Sequence, residues 1–161
     1  MKSVERVRAA LIAAHVGDTI IDLPDSARTA QMAADALTRY LKREVPVGAI
    51  VKSLVFVAGQ RPVLVLVAGD RRGDMRKIAA ASGAPEAKIA DAETVRAATG
   101  YAIGGVPPVG HSTSLSVLID ESLSRFETLY AAAGHPNAVF AIQFAQLADL
   151  TGGQVADVTH T

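Results

Sequence analysis

A lysine stands within one of the most apolar stretches of this sequence. Residues 50–58 read Ile-Val-Lys-Ser-Leu-Val-Phe-Val-Ala, and strand alternation places Lys52 on the same face as Ile50, Leu54 and Phe56. An unpaired buried charge is costly, so this ammonium group either extends along its own stem to solvent or faces a ligand. In the second case it would hold a phosphate or carbonyl oxygen at the mouth of a pocket. The residues alone leave both alternatives open.

Glycine and proline are concentrated in residues 100–111, which read Gly-Tyr-Ala-Ile-Gly-Gly-Val-Pro-Pro-Val-Gly-His. Glycines let backbone N–H groups approach a ligand closely, and the two prolines stiffen the segment. Such a loop can stabilise the oxyanion that develops during acyl transfer. The alternative is a structural connection between a helix and a strand, which is the commoner case for a glycine-rich loop. His111 ends the segment and could contact a substrate there.

Several familiar catalytic patterns are absent from the sequence. It contains no phosphate-binding loop, no dinucleotide-binding glycine fingerprint, no G-x-S-x-G elbow and no H-E-x-x-H pair. Cysteine is also absent, which excludes a disulfide framework, a thiolate zinc site and a cysteine nucleophile. The four histidines are scattered along the chain, so we expect no metal site.

Composition and charge narrow the class of protein. The 161 residues are 50% hydrophobic, and 16 basic residues balance 16 acidic ones. This balance argues against a protein that binds nucleic acid through a broad positive face, so no DNA partner is expected, but it permits a grip on one end of a nucleic acid. No apolar run reaches the roughly 20 residues that cross a bilayer. We expect a cytoplasmic protein with no membrane partner.

Hydrophobic spacing and capping residues predict one α/β domain, residues 1–161, with a mixed, largely antiparallel sheet flanked by helices. The predicted helices are residues 3–14, 32–44, 74–83, 93–99 and 144–150. The predicted strands are residues 19–23, 50–58, 63–68, 115–120, 128–132, 139–143 and 154–158. Residues 59–62 and 133–137 are predicted turns.

Two of these segments, taken together, resemble a known family. Residues 50–56 and 99–110, in this order and on these elements, are similar to the YbaK/EbsC family. Its members are aminoacyl-tRNA deacylases related to the INS-like editing domain of bacterial prolyl-tRNA synthetase. The resemblance covers nearly the whole chain, including the helix start at Thr29, the strand end at Asp120 and the turn at Gly134.

The resemblance implies the YbaK-type α/β fold and a trans-acting hydrolase that cleaves the ester of a mischarged tRNA, with tRNA(Pro) as the expected substrate. It implies that Lys52 is the catalytic lysine that anchors the terminal nucleotide, and that the loop backbone holds the aminoacyl carbonyl. It implies no metal and no organic cofactor. Its partners would be the acceptor end of an aminoacyl-tRNA and, as a candidate, prolyl-tRNA synthetase. The expected substrate-binding residues are Thr29, Gly104, Gly105, Val106, Pro107, Pro108, Gly110, His111 and Gly134.

The chain also departs from the family pattern. The second helix is expected to run on to Glu44, whereas relatives turn sooner, and residues 132–139 differ from those of members specialised for cysteinyl-tRNA(Pro). Alanine, serine, threonine and a non-protein amino acid therefore all stay open as the group removed. A non-catalytic module that binds a nucleotide or an aminoacyl-tRNA on the same fold is the alternative function, and a purely structural domain is the third.

Overall fold

The computed structural model describes residues 3–161. Its helices are α1 (Ser3–Ala13), α2 (Ala30–Leu41), α3 (Met75–Ser82), α4 (Ala92–Thr99) and α5 (Phe144–Thr151). Its strands are β1 (Ile20–Asp22), β2 (Ile50–Ala58), β3 (Arg61–Ala68), β4 (Arg72–Gly73), β5 (Ala87–Ile89), β6 (Ser116–Asp120), β7 (Leu129–His135), β8 (Ala138–Ile142), β9 (Gln154–Ala156) and β10 (Thr159–His160). Short 3-10 helices precede β2 (Val47–Ala49) and follow β6 (Glu121–Arg125).

The main sheet has eight strands in the order β1-β8-β7-β2-β3-β6-β9, with β5 paired to β2 beside this path. Four of its strand pairs are antiparallel, namely β1–β8, β7–β8, β2–β3 and β2–β5. Three are parallel, namely β2–β7, β3–β6 and β6–β9. The predicted mixed, largely antiparallel sheet flanked by helices is confirmed.

Helices cover both faces of the main sheet. On the face that carries Lys52, two separate helices cover different parts of the sheet. On the opposite face, α1 packs on a core that includes Val51 and Val55. On the lysine face, Ile50 belongs to the core under α2, and Phe56 belongs to the core under α3. Lys52 therefore lies between two helix-covered patches of one sheet face.

One edge of β2 is open beside the lysine. On this edge, β7 pairs with Ile50 and Val51, and β5 pairs with residues 56–58. Residues 52–55 have no strand partner there in the described part of the chain. The sheet thus splits between β2 and β7, and the split creates room for a cavity.

Two predicted turns are shorter in the structure than the sequence suggested. The β2–β3 turn contains only Gly59 and Gln60, because β3 already begins at Arg61. Pro62 pairs with Val57 in register but lies before Val63, where the pairing of β3 with β6 begins, so its missing N–H breaks no ladder bond.

The second shortened turn, predicted over residues 133–137, follows a β-bulge in strand β7. Strand β7 continues to His135, with a register shift between Ala132 and His135, where residues 133–137 were predicted to turn. Gly134 lies in this irregular stretch with φ 90°, a left-handed conformation that favours glycine. The turn itself is reduced to residues 136–137.

Three other predicted boundaries need correction. Helix α2 ends at Leu41 and does not run on to Glu44, because Lys42 adopts a left-handed conformation at φ 55°. The predicted final strand, residues 154–158, ends at Ala156 as β9, and the separate strand β10 begins only at Thr159, in a different sheet. Strands β4 and β5 were not predicted.

Among the described residues, no helix has the length and apolar character needed to cross a membrane.

Candidate active site at the split sheet edge

A cavity of about 250 Å³ occupies the split between β2 and β7. The start of α2 and the glycine-proline loop close its sides. Its apolar walls are made of small or branched side chains from Ala27, Ala30, Ala33, Ile50, Val51, Leu54, Val106, Ala131, Ala132 and Val139. The other lining residues are Arg28, Thr29, Lys52, Ser53, Gly104 and Tyr130. The cavity is thus mostly apolar, with a few polar groups at defined positions, as ligand sites usually are.

Lys52 is half-buried at this cavity and is not fully extended into solvent. Its Nζ donates a hydrogen bond to the backbone carbonyl of Arg71 over 2.6 Å. Burial lowers the pKa of Lys52 below its ordinary value of 10.5, the nearby Arg72 lowers it further, and Asp70 opposes the shift. An ammonium group has three donors, and the other two have no acceptor among residues 3–161. Those two are available to an oxygen of a ligand.

The carbonyl that receives the Lys52 bond is itself held in place. Arg71 Nε donates to Thr159 Oγ1 over 2.6 Å and lies 3.9 Å from the carboxylate of Asp120. Thr159 and Asp120 are 0% and 1% exposed. Because β10, which contains Thr159, also pairs with β4, the C-terminal strand braces the turn that positions Lys52.

The glycine-proline loop is stiffened by its own hydrogen bonds. It leaves α4 at Gly100, which is in the left-handed region at φ 82°. Tyr101 Oη donates to the Gly110 carbonyl over 3.1 Å, and His111 Nε2 lies 2.6 Å from the Pro107 carbonyl. Because a carbonyl only accepts, His111 carries its proton on Nε2. Burial lowers the pKa of His111, and the bond to Pro107 partly opposes this.

The structure brings four of the predicted site residues to one cavity. They are Thr29, Lys52, Gly104 and Val106. Gly104 has φ 83° and is exposed at the cavity, whereas Val106 is buried against it. Thr29 caps α2, its side chain accepting a hydrogen bond from Met32 N over 3.1 Å, so its hydroxyl is partly committed to the helix.

The other predicted residues lie elsewhere. Gly105 and Pro107 belong to the loop but do not line the cavity, while Pro108, Gly110 and His111 line a separate depression beside α1 and α5. Gly134 packs against α1, where an added Cβ would lie 3.0 Å from the backbone of Ser3. In this geometry these residues shape the loop and the helix packing and do not face the cavity.

Sequence reasoning missed some of the residues at the site. Ser53 lines the cavity directly after Lys52, and Arg71 holds the lysine. The adjacency of Ser53 to Lys52 was visible, but its exposure to the cavity depends on where β7 leaves β2. The role of Arg71 depends on a turn fixed by a strand almost ninety residues later.

The site combines a cation, a stiff loop and small apolar walls. Among residues 3–161, those that line the cavity include no carboxylate, imidazole or thiol. No group of three or more His, Cys, Asp or Glu side chains converges anywhere in that range, and the expected lack of a metal stays a prediction. Such a site can bind an anionic oxygen beside a small uncharged group and orient a reactive ester for attack by water.

Comparison with known proteins places this geometry in context. The sequence profile of a family described as "Aminoacyl-tRNA editing domain" matches residues 25–150. The proposed Cys-tRNA(Pro)/Cys-tRNA(Cys) deacylase EbsC of Enterococcus faecalis is 28% identical over 113 residues, which are 70% of this chain and 69% of that protein. The proline--tRNA ligase of Lactobacillus gasseri is 32% identical over 99 residues, which are 62% of this chain but 17% of the ligase.

A solved structure is similar over its full length. It is a crystal structure described as a proposed trans-editing enzyme for prolyl tRNA synthetase, and it shares 42% sequence identity with this chain. Its TM-score is 0.86, and the match covers 100% of this chain and 99% of that one. Sequence and fold therefore agree on the same group of proteins.

Proposed function

This chain belongs to the aminoacyl-tRNA editing domain family and is a hydrolase of the aminoacyl-tRNA ester, and we propose that it acts in trans on mischarged tRNA(Pro). Its resemblance to the YbaK/EbsC group is confirmed. The proposed site is the cavity between β2 and β7, within a single domain. The proposed location is the cytoplasm, where charged tRNA is used.

The observation that carries the proposed site is that Lys52 and Gly104 line one cavity. Lys52 has two N–H donors left for an oxygen of the terminal nucleotide. The loop at Gly104 lines the same cavity and holds the aminoacyl carbonyl. An aminoacyl ester is already reactive, so orientation and stabilisation of the developing oxyanion suffice for attack by water. Thr29 and Val106 shape the wall around the bound group.

The choice of tRNA(Pro) rests on the relatives. Proline--tRNA ligases contain a similar segment, and the similar solved structure is described as a trans-editing protein for that synthetase. Prolyl-tRNA synthetase is accordingly the proposed protein partner. The amino acid removed is small and uncharged, because the cavity holds only about 250 Å³ and its walls are mostly apolar. EbsC adds cysteine to the candidates alanine, serine and threonine.

The experiment is a deacylation assay with purified protein and a panel of charged tRNAs. The panel contains tRNA(Pro) charged with alanine, serine, threonine, cysteine and proline, and tRNA(Ala) charged with alanine. We expect fast release of one small amino acid from tRNA(Pro), with correctly charged tRNA spared. Release no faster than spontaneous ester decay across the panel would overturn the proposed substrate.

A further inference from the structure

A buried hydroxyl without a partner lies beside the catalytic-site lysine. Ser53 lines the cavity, and its Oγ is buried with no hydrogen-bond partner among the described residues. A buried hydroxyl without a partner costs folding free energy, and native proteins retain few such groups. The position of this group in the cavity wall suggests that a ligand supplies the missing partner.

The backbone of Ser53 also faces the open sheet edge. On β2, the Ile50 carbonyl accepts from Gly69 N on the β3 side, whereas the Val55 carbonyl accepts from Ala90 N on the opposite side. Backbone groups alternate between the two edges of a strand, so those of Ser53 point the same way as those of Val55. The strand register gives Ser53 no partner at that edge. Its backbone carbonyl and amide are therefore both available at the split.

The charges around the cavity decide what these groups can bind. Arg28 and Lys52 are the charged lining residues, and both are cations. The Ser53 carbonyl only accepts hydrogen bonds, so its ligand partner must be a donor. The aminoacyl moiety of a small apolar amino acid has one donor, its α-amino group. That group titrates near pH 8 in isolation, and neighbouring cations favour its neutral form, which still donates.

We propose that Ser53 binds the α-amino group of the aminoacyl ester through its backbone carbonyl and its Oγ. This proposal rests on the proposed deacylase function and adds the contact that orients the amino acid. Lys52 holds the nucleotide side of the ester, and Ser53 holds the amino side. The scissile carbonyl is thereby fixed between them, facing the Gly104 loop.

The test combines a protein variant with a substrate variant. Wild type, Ser53→Ala and the control Ser116→Ala, which alters an exposed serine on β6, are assayed on alanyl-tRNA(Pro) and on propionyl-tRNA(Pro), which lacks the α-amino group. If the panel shows faster release of another amino acid, the same pair is made with that one. We expect Ser53→Ala to lose about ten-fold in kcat/KM on the free-amine substrate, the size of one hydrogen bond. On the propionyl substrate, which has no α-amino donor, all three proteins should react at one rate.

The possible outcomes separate this proposal from the deacylase function. If Ser53→Ala matches wild type on the free-amine substrate, or loses the same factor on both substrates, the amino contact is refuted while the deacylase function stands. If wild type cleaves neither substrate, the function fails and the contact fails with it. Thermal unfolding is a second readout, because Ser53→Ala removes an unpartnered hydroxyl and should unfold at the wild-type temperature or above. A large destabilisation would show that Oγ has a structural partner and would contradict the proposal.

Discussion

Lys52 Nζ and the backbone carbonyl of Arg71 are joined by a 2.6 Å hydrogen bond across the β2–β3 hairpin and the turn that follows it. The turn is held by Thr159 and Asp120. Thr159 lies outside residues 25–150, the part that matches the family profile. The placement of the central cation therefore depends on a C-terminal strand beyond the matched region.

Loss of the hydrogen bond between Arg71 and Thr159 should lower both the free energy of unfolding and the deacylation activity. Thr159→Val removes the acceptor of Arg71 Nε, and hydrogen bonds to charged groups are worth about 1.5–3 kcal/mol. We expect a loss of unfolding free energy of about that size and a lower kcat/KM, both measured beside Thr159→Ser, which keeps the hydroxyl. Equal activity of the Val and Ser variants would show that this hydrogen bond does not position Lys52.

The depressed pKa of Lys52 predicts a pH-dependent stability difference. The pKa is lower in the folded state than in the unfolded state, so between the two values the unfolded chain binds more protons, and the unfolding free energy of wild type rises with pH. Lys52→Met lacks this dependence. The unfolding free energy of Lys52→Met, taken relative to that of wild type, should be highest at about pH 7 and should fall towards about pH 10. Urea unfolding at the two pH values measures it, and an unchanged difference would mean that burial does not penalise the ammonium group.

The left-handed backbone of Gly104 predicts a matched pair of glycine variants. Gly104 and Gly83 have φ values of 83° and 68°, and an added Cβ would have open space at both. Gly104→Ala and Gly83→Ala should therefore each cost about 1–2 kcal/mol of backbone strain. Only Gly104→Ala should reduce deacylation, because Gly83 ends α3 outside the cavity lining. Similar activity in both variants would argue that the Gly104 conformation is not used.

His111 predicts a loss of stability in mild acid. Burial holds its pKa below 6.5, so below that pH the unfolded chain takes up a proton that the folded chain resists, and unfolding free energy falls. The slope for this group is at most about 1.4 kcal/mol per pH unit. His111→Gln, which can still donate to Pro107, should flatten the slope between about pH 6.5 and pH 5 in denaturant titrations. A variant as acid-sensitive as wild type would assign the effect to other groups.

Local signals in the sequence predicted much of the fold. Helix α3 begins after Asp74 and stops before Gly83, and α4 begins after Asp91 and stops before Gly100, as the capping residues indicate. These boundaries depend on contacts within one turn of chain, which the sequence displays directly. The apolar run over residues 50–58 likewise predicted β2 with the bounds that the structure has.

Features that depend on distant pairings were not predictable in this way. The three-residue strand β5 and the two-residue strands β4 and β10 contain too few residues for a periodic pattern, and they exist because a distant segment pairs with them. The candidate site likewise combines residues that local signals identified with features that depend on distant pairings. Residue type singled out Lys52 and Gly104, whereas the cavity that unites them, and the exposure of Ser53 in it, follow from where β7 separates from β2.

The most direct test of the central claim is the deacylation rate of Lys52→Ala on the preferred mischarged tRNA(Pro). Lys88→Ala is the matched control, because Lys88 is an exposed lysine on β5 away from the cavity. The site described above predicts a loss of about 100-fold or more for Lys52→Ala and the wild-type rate for Lys88→Ala, with both variants folded. A folded Lys52→Ala protein that releases the amino acid at the wild-type rate would contradict the assignment of this cavity as the active site.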